Sequence, residues 1–417
     1  MNAEAWSFPR RAAFRFFFCY FVLFFLTDRL VDLIPFSGVF LRSYAALTYR
    51  LVVWVDGHIL HTGFRIDPPF EGGGINNTAH GTLLCLCYVA LAAMAAVLWP
   101  VLDRRRAGYG RLHEWFRLLL RFSLALAMIQ YGILKLIPTQ MIAPPPLGFH
   151  LRRAGDFTHM QLLWFFMGAS PVYESLTGAA ELLGGVLLLF PRTTLLGALI
   201  CAADMGMVFT LNMCYDVHVK LYSFHLLLMA VLLLAPDLPR LANLFLFNRT
   251  VEPAVTPPLS ERKWVNRLPQ ILLLVVGLSM IGVNTADALK RYQKFHPPKP
   301  PLYGLWSVDR FVIDGAEVPL FTDAKRWRYV VFQRPGSVSV EQMIGSRQGY
   351  ALDLDMDAKT LRLSEGAAVR AAFAFAEPQP DAMVLEGQLD GHRAHLELSK
   401  AALSARSFHW LFEPKEE

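Results

Sequence analysis

The sequence predicts a membrane-spanning all-α helical bundle of about seven crossings, followed by an antiparallel β-rich domain, and three observations carry that prediction. Apolar runs of about 18 residues or more, the length of a bilayer crossing, recur through the first two thirds of the chain. Of its 417 residues 54% are hydrophobic and only 18% are charged, well below the roughly one quarter charged that soluble domains carry. Beyond the proline-rich stretch that ends in Lys299-Pro300-Pro301, apolar and polar positions alternate with the period of strands. The expected division is a transmembrane domain over residues 1–298 and a soluble β-rich domain over 299–417.

The first crossing is expected at residues 14–36, with Asp28, Arg29 and Asp32 toward its far end. Arg10-Arg11 before it resembles the start of a signal peptide, but the run is long and lacks a small-residue cleavage site, so an uncleaved helix is expected. Residues 39–61 are interrupted by Arg42, Arg50, Asp56 and His58, which predicts an interfacial helix and not a crossing. A second crossing over 79–101 ends in Asp103-Arg104-Arg105-Arg106, and a third covers 118–137. Residues 162–169 are too short to cross before Ser170-Pro171 and are expected to re-enter or lie on the surface. The remaining crossings are expected at 172–190, 193–213, 219–235 and 269–286.

A net charge of +6 raises nucleic acid as a partner, but the basic residues cluster beside helix ends with no aromatic-interleaved stripe. They read as a topology signal and exclude that class. The N-terminus, the Arg104 to Arg106 loop, the Pro191-Arg192 turn and the Arg240 to Arg267 stretch alternate onto one face, which the positive-inside rule makes cytoplasmic. Seven crossings then carry the C-terminal domain to the opposite side. In that domain strands are expected at 327–333, 338–344, 350–356, 384–389 and 395–398. Pro335-Gly336, Gly345-Ser346, Asp355-Met356-Asp357 and Asp390-Gly391 are the turns between them. The product is an antiparallel meander or small barrel.

Chemistry is sought where charge meets hydrocarbon, because Lys, Arg or Asp at mid-helix costs about 2.5 to 3.5 kcal/mol on insertion scales. Such groups are retained when they pair or line a wet cavity. Lys135 lies one turn after Tyr131 at the close of the third crossing. Glu174 and Glu181 are seven apart and share a face of the fourth, with Gly178 and Gly185 allowing a close neighbour. Asp204 sits at mid-depth in the fifth, Asn212 and Asp216 follow at its outer end, and His218 and His225 share a face of the sixth. Lys135, Glu181, Asp204 and His225 are the candidate catalytic groups, in a pocket toward the outer leaflet. Structural roles compete: Lys135 can snorkel, Glu174 reads as a headgroup-level residue, Glu181 and Asp204 can pair with Lys135, Arg121 or Arg29, and His225 can serve as an interhelical hydrogen-bonder. The five cysteines form no CxxC pair, and no phosphate loop, GxSxG, HExxH or metal quartet appears.

Several stretches resemble bacterial DoxX-like membrane proteins: Tyr131-Gly132-Ile133-Leu134-Lys135-Leu136-Ile137-Pro138, Leu163-Trp164-Phe165-Phe166-Met167-Gly168-Ala169-Ser170-Pro171, Ala180-Glu181-Leu182-Leu183-Gly184-Gly185 and Asn212-Met213-Cys214-Tyr215-Asp216-Val217. The corresponding four-helix core covers about residues 112–240. Tyr303-Gly304-Leu305-Trp306 and Phe408-His409-Trp410 resemble the two ends of a C-terminal extension in such proteins, and Gly304-x-Trp306 resembles the opening of a lipocalin barrel. DoxX proteins are similar to a membrane subunit of thiosulfate:quinone oxidoreductases. Their core is distantly similar to the transmembrane part of vitamin K-dependent carboxylases, in which a Tyr-x3-Lys-Leu stretch sets a lysine beside a quinone-type cofactor. Tyr131 with Lys135-Leu136 resembles that stretch, while the carboxylase's soluble catalytic domain has no counterpart.

The resemblance implies a bacterial inner-membrane protein, a quinone or similar lipid-soluble redox molecule as cofactor, and Tyr131, Trp164, Asn212 and Asp216 as residues that would line its site. Two readings remain open from the sequence. One is a quinone-linked oxidoreductase component; the other is a non-enzymatic envelope protein whose bundle anchors a β-domain that binds a ligand or a partner protein.

Overall fold

A computed structural model of the protein describes residues 6–27, 38–68, 75–104, 106–141, 146–253, 258–320 and 326–402. Asp28, Arg29, Asp32 and the Phe408-His409-Trp410 motif lie outside the described residues. The chain forms two compact units, one of 1–143 with 158–292 and one of 144–157 with 293–417. The β-rich unit therefore takes in a segment from the middle of the helical region, for which the sequence has no sign.

The helical unit contains α1 (Phe8–Phe25), α2 (Gly38–Val55), α3 (Ala79–Leu102), α4 (Gly110–Leu136), α5 (His159–Gly168), α6 (Pro171–Leu188), α7 (Thr194–Cys214), α8 (Lys220–Leu234), α9 (Leu238–Phe245) and α10 (Lys263–Phe295). Their starts follow local chemistry. Thr78 Oγ1 accepts from Gly81 N at 3.0 Å, Thr158 and Gln161 form a capping box, and Ser170 caps α6 with Pro171 in its first turn. The helix expected at 39–61 is α2, continued by a π-turn over Asp56–Leu60 and ended by His61 at φ 51°.

Among the described residues, five segments are long and apolar enough to cross a membrane: Ala79–Leu102, Gly110–Leu136, Pro191–Cys214, Lys220–Phe245 and Lys263–Phe295. The sequence counts about seven, and α1 and α6 account for the difference. Each is 18 residues long; α1 carries Arg10, Arg11 and Arg15, and α6 carries Glu174 and Glu181, which dilute its apolar character. The short stretch before Ser170-Pro171 is the ten-residue α5.

The second unit is a closed antiparallel barrel. Its strands are β1 (Gly304–Ile313), β2 (Ala316–Glu317), β3 (Trp327–Arg334), β4 (Ser337–Gln342), β5 (Arg347–Asp355), β6 (Thr360–Glu365), β7 (Ala368–Gln379), β8 (Ala382–Leu389) and β9 (His392–Lys400). β1 and β3 to β9 follow one another around the wall and β9 pairs back with β1, while the short β2 flanks β1. Closure leaves this wall without an unpaired edge. The expected turns lie between strands, with Gly336, Gly345, Asp390 and Gly391 at positive φ and Asp355 accepting from the amides of Asp357 and Ala358. Three strands of the wall, β1, β6 and β7, lie outside the strands expected from the sequence. The last reads as alternating Ala and Phe, of which Phe373 and Phe375 point into the core.

That core is filled by side chains, among them Trp306, Phe311, Trp327, Phe332, Phe373 and Phe375. Outside, Leu305 and Val331 face each other across β1 and β3 and are covered by Leu147 and Leu151 of the inserted segment. Leu147 N donates to Gln333 Oε1 at 3.1 Å, and Arg347 donates to Gly148 O at 3.0 Å and to Glu341 Oε2 at 2.7 Å. Thus an apolar patch and a bridging guanidinium fasten the segment to the barrel wall.

Candidate functional site

The site is made by small residues that let three helices touch. A Cβ on Gly132 of α4 would lie 2.5 Å from Leu182 N and 2.9 Å from Gly178 O of α6, and one on Gly185 would meet Ala125 O at 3.0 Å. On another side of α6, a Cβ on Gly184 would meet Cys201 Sγ of α7 at 2.8 Å, and Gly197 of α7 faces Gly184 and Leu188 equally closely. Only glycine admits such backbone contact, the small-residue device of membrane helix pairs. Ser175 Oγ adds a bond to Leu136 O at 2.9 Å.

With the backbones this close, side chains one turn away are forced together. The Lys135 ammonium donates to Glu181 Oε1, and the two side chains are 8% and 1% exposed. Glu174, one face-repeat earlier on α6, is fully buried and accepts from Met141 N at 3.0 Å through Oε1. Asp204 of α7 interacts electrostatically with both Glu181 and Lys135, and Lys135 also acts on Glu174. One ammonium is thus in contact with Glu181 and within electrostatic range of Glu174 and Asp204. Among the described residues, Glu174 Oε2, Glu181 Oε2 and Asp204 Oδ2 are buried and have no hydrogen-bond donor.

Glu174, read from the sequence as a headgroup-level residue, is buried within the protein, where the chain after α4 offers it the Met141 amide. His225 is buried, but its partners belong to another cluster. Nδ1 faces Leu221 O at 2.5 Å, Nε2 meets Tyr20 Oη at 2.6 Å, and the ring stacks on Phe24 at 4.4 Å between centroids. Aromatics of α1 supply this cage, and Phe21 and Phe24 are almost wholly buried.

Of the expected lining residues, Tyr131 lies against Tyr222 with centroids 6.2 Å apart. Trp164 joins an apolar cluster with Met141, Leu163, Met167 and Val217. Asn212 Nδ2 donates to Ser223 Oγ at 2.9 Å and ties α7 to α8. Asp216 pairs with Lys220 at the surface, its side chain 80% exposed. Arg121, expected as a partner for the acids, instead donates to Gln270 of α10.

Fold and charge together define a multi-pass α-helical membrane region joined to an eight-stranded antiparallel β-barrel domain. The chain is 34% identical over 130 residues, 31% of its own length and 79% of the relative's, to the uncharacterized protein YwoB of Bacillus subtilis strain 168. Over that stretch it belongs to the same family as YwoB. No family model and no solved structure matches the chain.

Proposed function

We propose that this is a DoxX-like membrane component that binds a quinone, or a similar lipid-soluble redox molecule, beside Lys135 and Glu181. The observation that carries the reading is the imbalance of the cluster: Glu181 pairs with Lys135, and Glu181, Glu174 and the half-buried Asp204 each keep a buried oxygen without a hydrogen-bond donor among the described residues. A carboxylate without a counter-charge is costly in hydrocarbon, so two of these groups call for protons or for donors that a ligand brings. A quinone head fits this chemistry. Its carbonyl oxygens accept from an ammonium or a protonated carboxyl, and its reduced hydroxyls donate to idle carboxylate oxygens. Lys135 and Glu181 hold the polar head and exchange protons with it, and Asp204 relays protons from α7. Tyr131 stands one turn before Lys135 and supports the likeness to quinone-binding Tyr-x3-Lys-Leu stretches. Tyr20 and His225 form a separate hydrogen-bonded pair outside this path.

Counting α1 and α6 as crossings gives seven, with the N-terminus cytoplasmic and the barrel extracytoplasmic in a bacterial inner membrane. The bundle then offers its cluster from within the bilayer, where a lipid-soluble molecule arrives. A second reading, an envelope protein whose bundle anchors the β-domain, is favoured by the filled barrel core, which suits recognition of a partner by the outer wall better than a ligand inside. Mass spectrometry of small molecules extracted from the purified chain separates the two. A retained quinone that disappears in Lys135→Ala supports the first; an empty protein, together with full function of the barrel tethered to an unrelated membrane helix, supports the second.

A further inference from the structure

α4 carries a second buried cation, about 21 Å along the helix from Lys135. Arg121 is 7% exposed inside a segment long and apolar enough to cross a membrane, yet its hydrogen-bond partner is the neutral Gln270 of α10. Its Nε is buried with no acceptor among the described residues, and so is the Nε of Arg117, one turn earlier on the same helix. Nearby acids do not resolve this. Arg117 reaches Glu114 only at 3.6 Å and Asp237 only at 3.9 Å, Glu114 is shared with His113, and Asp237 is already bound by Arg240 at 2.5 Å. Arg117, Arg121 and Arg240 therefore stand against Glu114 and Asp237, and the guanidinium left over is the most buried of the three.

A guanidinium stays charged at any physiological pH, so unlike a carboxyl it cannot shed the cost of burial by exchanging a proton. Two idle N–H groups one turn apart, beside an amide that can donate as well as accept, match the spaced oxygens of a phosphate- or sulfate-type group. We propose that Arg121, Arg117 and Gln270 form a binding site for such an oxyanion, either free or as the phosphodiester of an anionic phospholipid. The site supplies what the other end of α4 lacks: Lys135 sits in an excess of acid, Arg121 in an excess of base.

The test uses the full chain in detergent, with thermal unfolding followed as sulfate replaces chloride at constant ionic strength. Wild type is expected to gain melting temperature saturably with sulfate. Arg121→Gln and Arg117→Gln should lower the apparent sulfate affinity about tenfold or more, equivalent to about 1.4 kcal/mol. Arg121→Lys, which keeps the charge without the fork, should respond weakly, and the exposed Arg249→Gln should respond as wild type. If a lipid is the natural occupant, native mass spectrometry will find an anionic phospholipid retained by wild type and lost from Arg121→Gln, which also upholds the site and names its source. The proposal is overturned by an Arg121→Gln protein that folds and responds to sulfate like wild type. It is equally overturned by a wild type that neither responds to sulfate nor retains an anionic lipid.

Discussion

Gly132 of α4 and Gly178 of α6 are in backbone contact, and Lys135 and Glu181, each three residues farther along its helix, are buried as an ion pair beside that contact. The packing of two glycines and the pairing of two charges are therefore one structural feature. A Cβ on Gly178 would run into Leu136 N and Gly132 O, both of them backbone atoms. Gly178→Ala is expected to cost about 1–3 kcal/mol, the usual range for overpacking. It should also loosen the ion pair, read as a lower melting temperature and faster hydrogen exchange over 130–137. Gly206→Ala, which meets open space, is the matched control.

Lys135→Met is expected to destabilise by about 3–5 kcal/mol, because Glu181 would then be buried without its cation. The double change Lys135→Met, Glu181→Leu should recover much of that loss. A cycle of the four proteins in chemical denaturation reads the coupling directly, and additive losses would show that the pair does not act as a unit.

Tyr20 Oη donates to His225 Nε2, because Nδ1–H is committed to Leu221 O. Tyr20→Phe leaves that buried nitrogen without a donor and should cost about 1–3 kcal/mol. The loss belongs to the α1 to α8 contact alone, so ligand binding at Lys135 should persist. A Tyr20→Phe protein that stays folded but loses the ligand would move His225 into the site.

In the barrel, Asp314 accepts from His392 Nδ1 at 2.7 Å and from Arg393 N at 2.9 Å. The His392 bond first, and then the amide, hold its carboxyl below the usual carboxylate range. A group whose folded value is depressed adds stability above its unfolded value, near 3.9 for Asp, and that contribution fades as pH falls through the folded value. Melting temperatures measured from pH 6 to pH 2 should therefore fall over the acid end, and Asp314→Asn should flatten that part of the profile.

Much of this was legible in residues, and the reasons differ by element. Long apolar runs fix helices because their backbone must satisfy itself in lipid, so α3, α7 and α8 fall close to the expected limits, while α10 contains the expected 269–286 and runs well past both of its ends. Dipeptides such as Pro335-Gly336 and Asp390-Gly391 placed turns, since few residues adopt their backbone angles. β1, β6 and β7 were missed: β7 alternates Ala with Phe, a weak contrast between faces. The close pairing of Lys135 with Glu181 was within reach of the Gly178 spacing, because glycines seven apart on one face announce a near neighbour. What no local pattern could give was the cage of His225, assembled from α1 and α8, or the solitude of Arg121. Both depend on contacts between residues more than a hundred positions apart.

Binding of a quinone-type head by Lys135 and Glu181 is read by titrating the purified chain with a short-tailed benzoquinone and following tryptophan quenching in wild type, Lys135→Ala and Glu181→Ala, each first confirmed to melt cooperatively. Saturable binding in wild type, weakened about tenfold or more in both variants, is the expected result, as loss of a charged hydrogen-bond partner implies. Affinity that is the same in all three proteins would contradict the account.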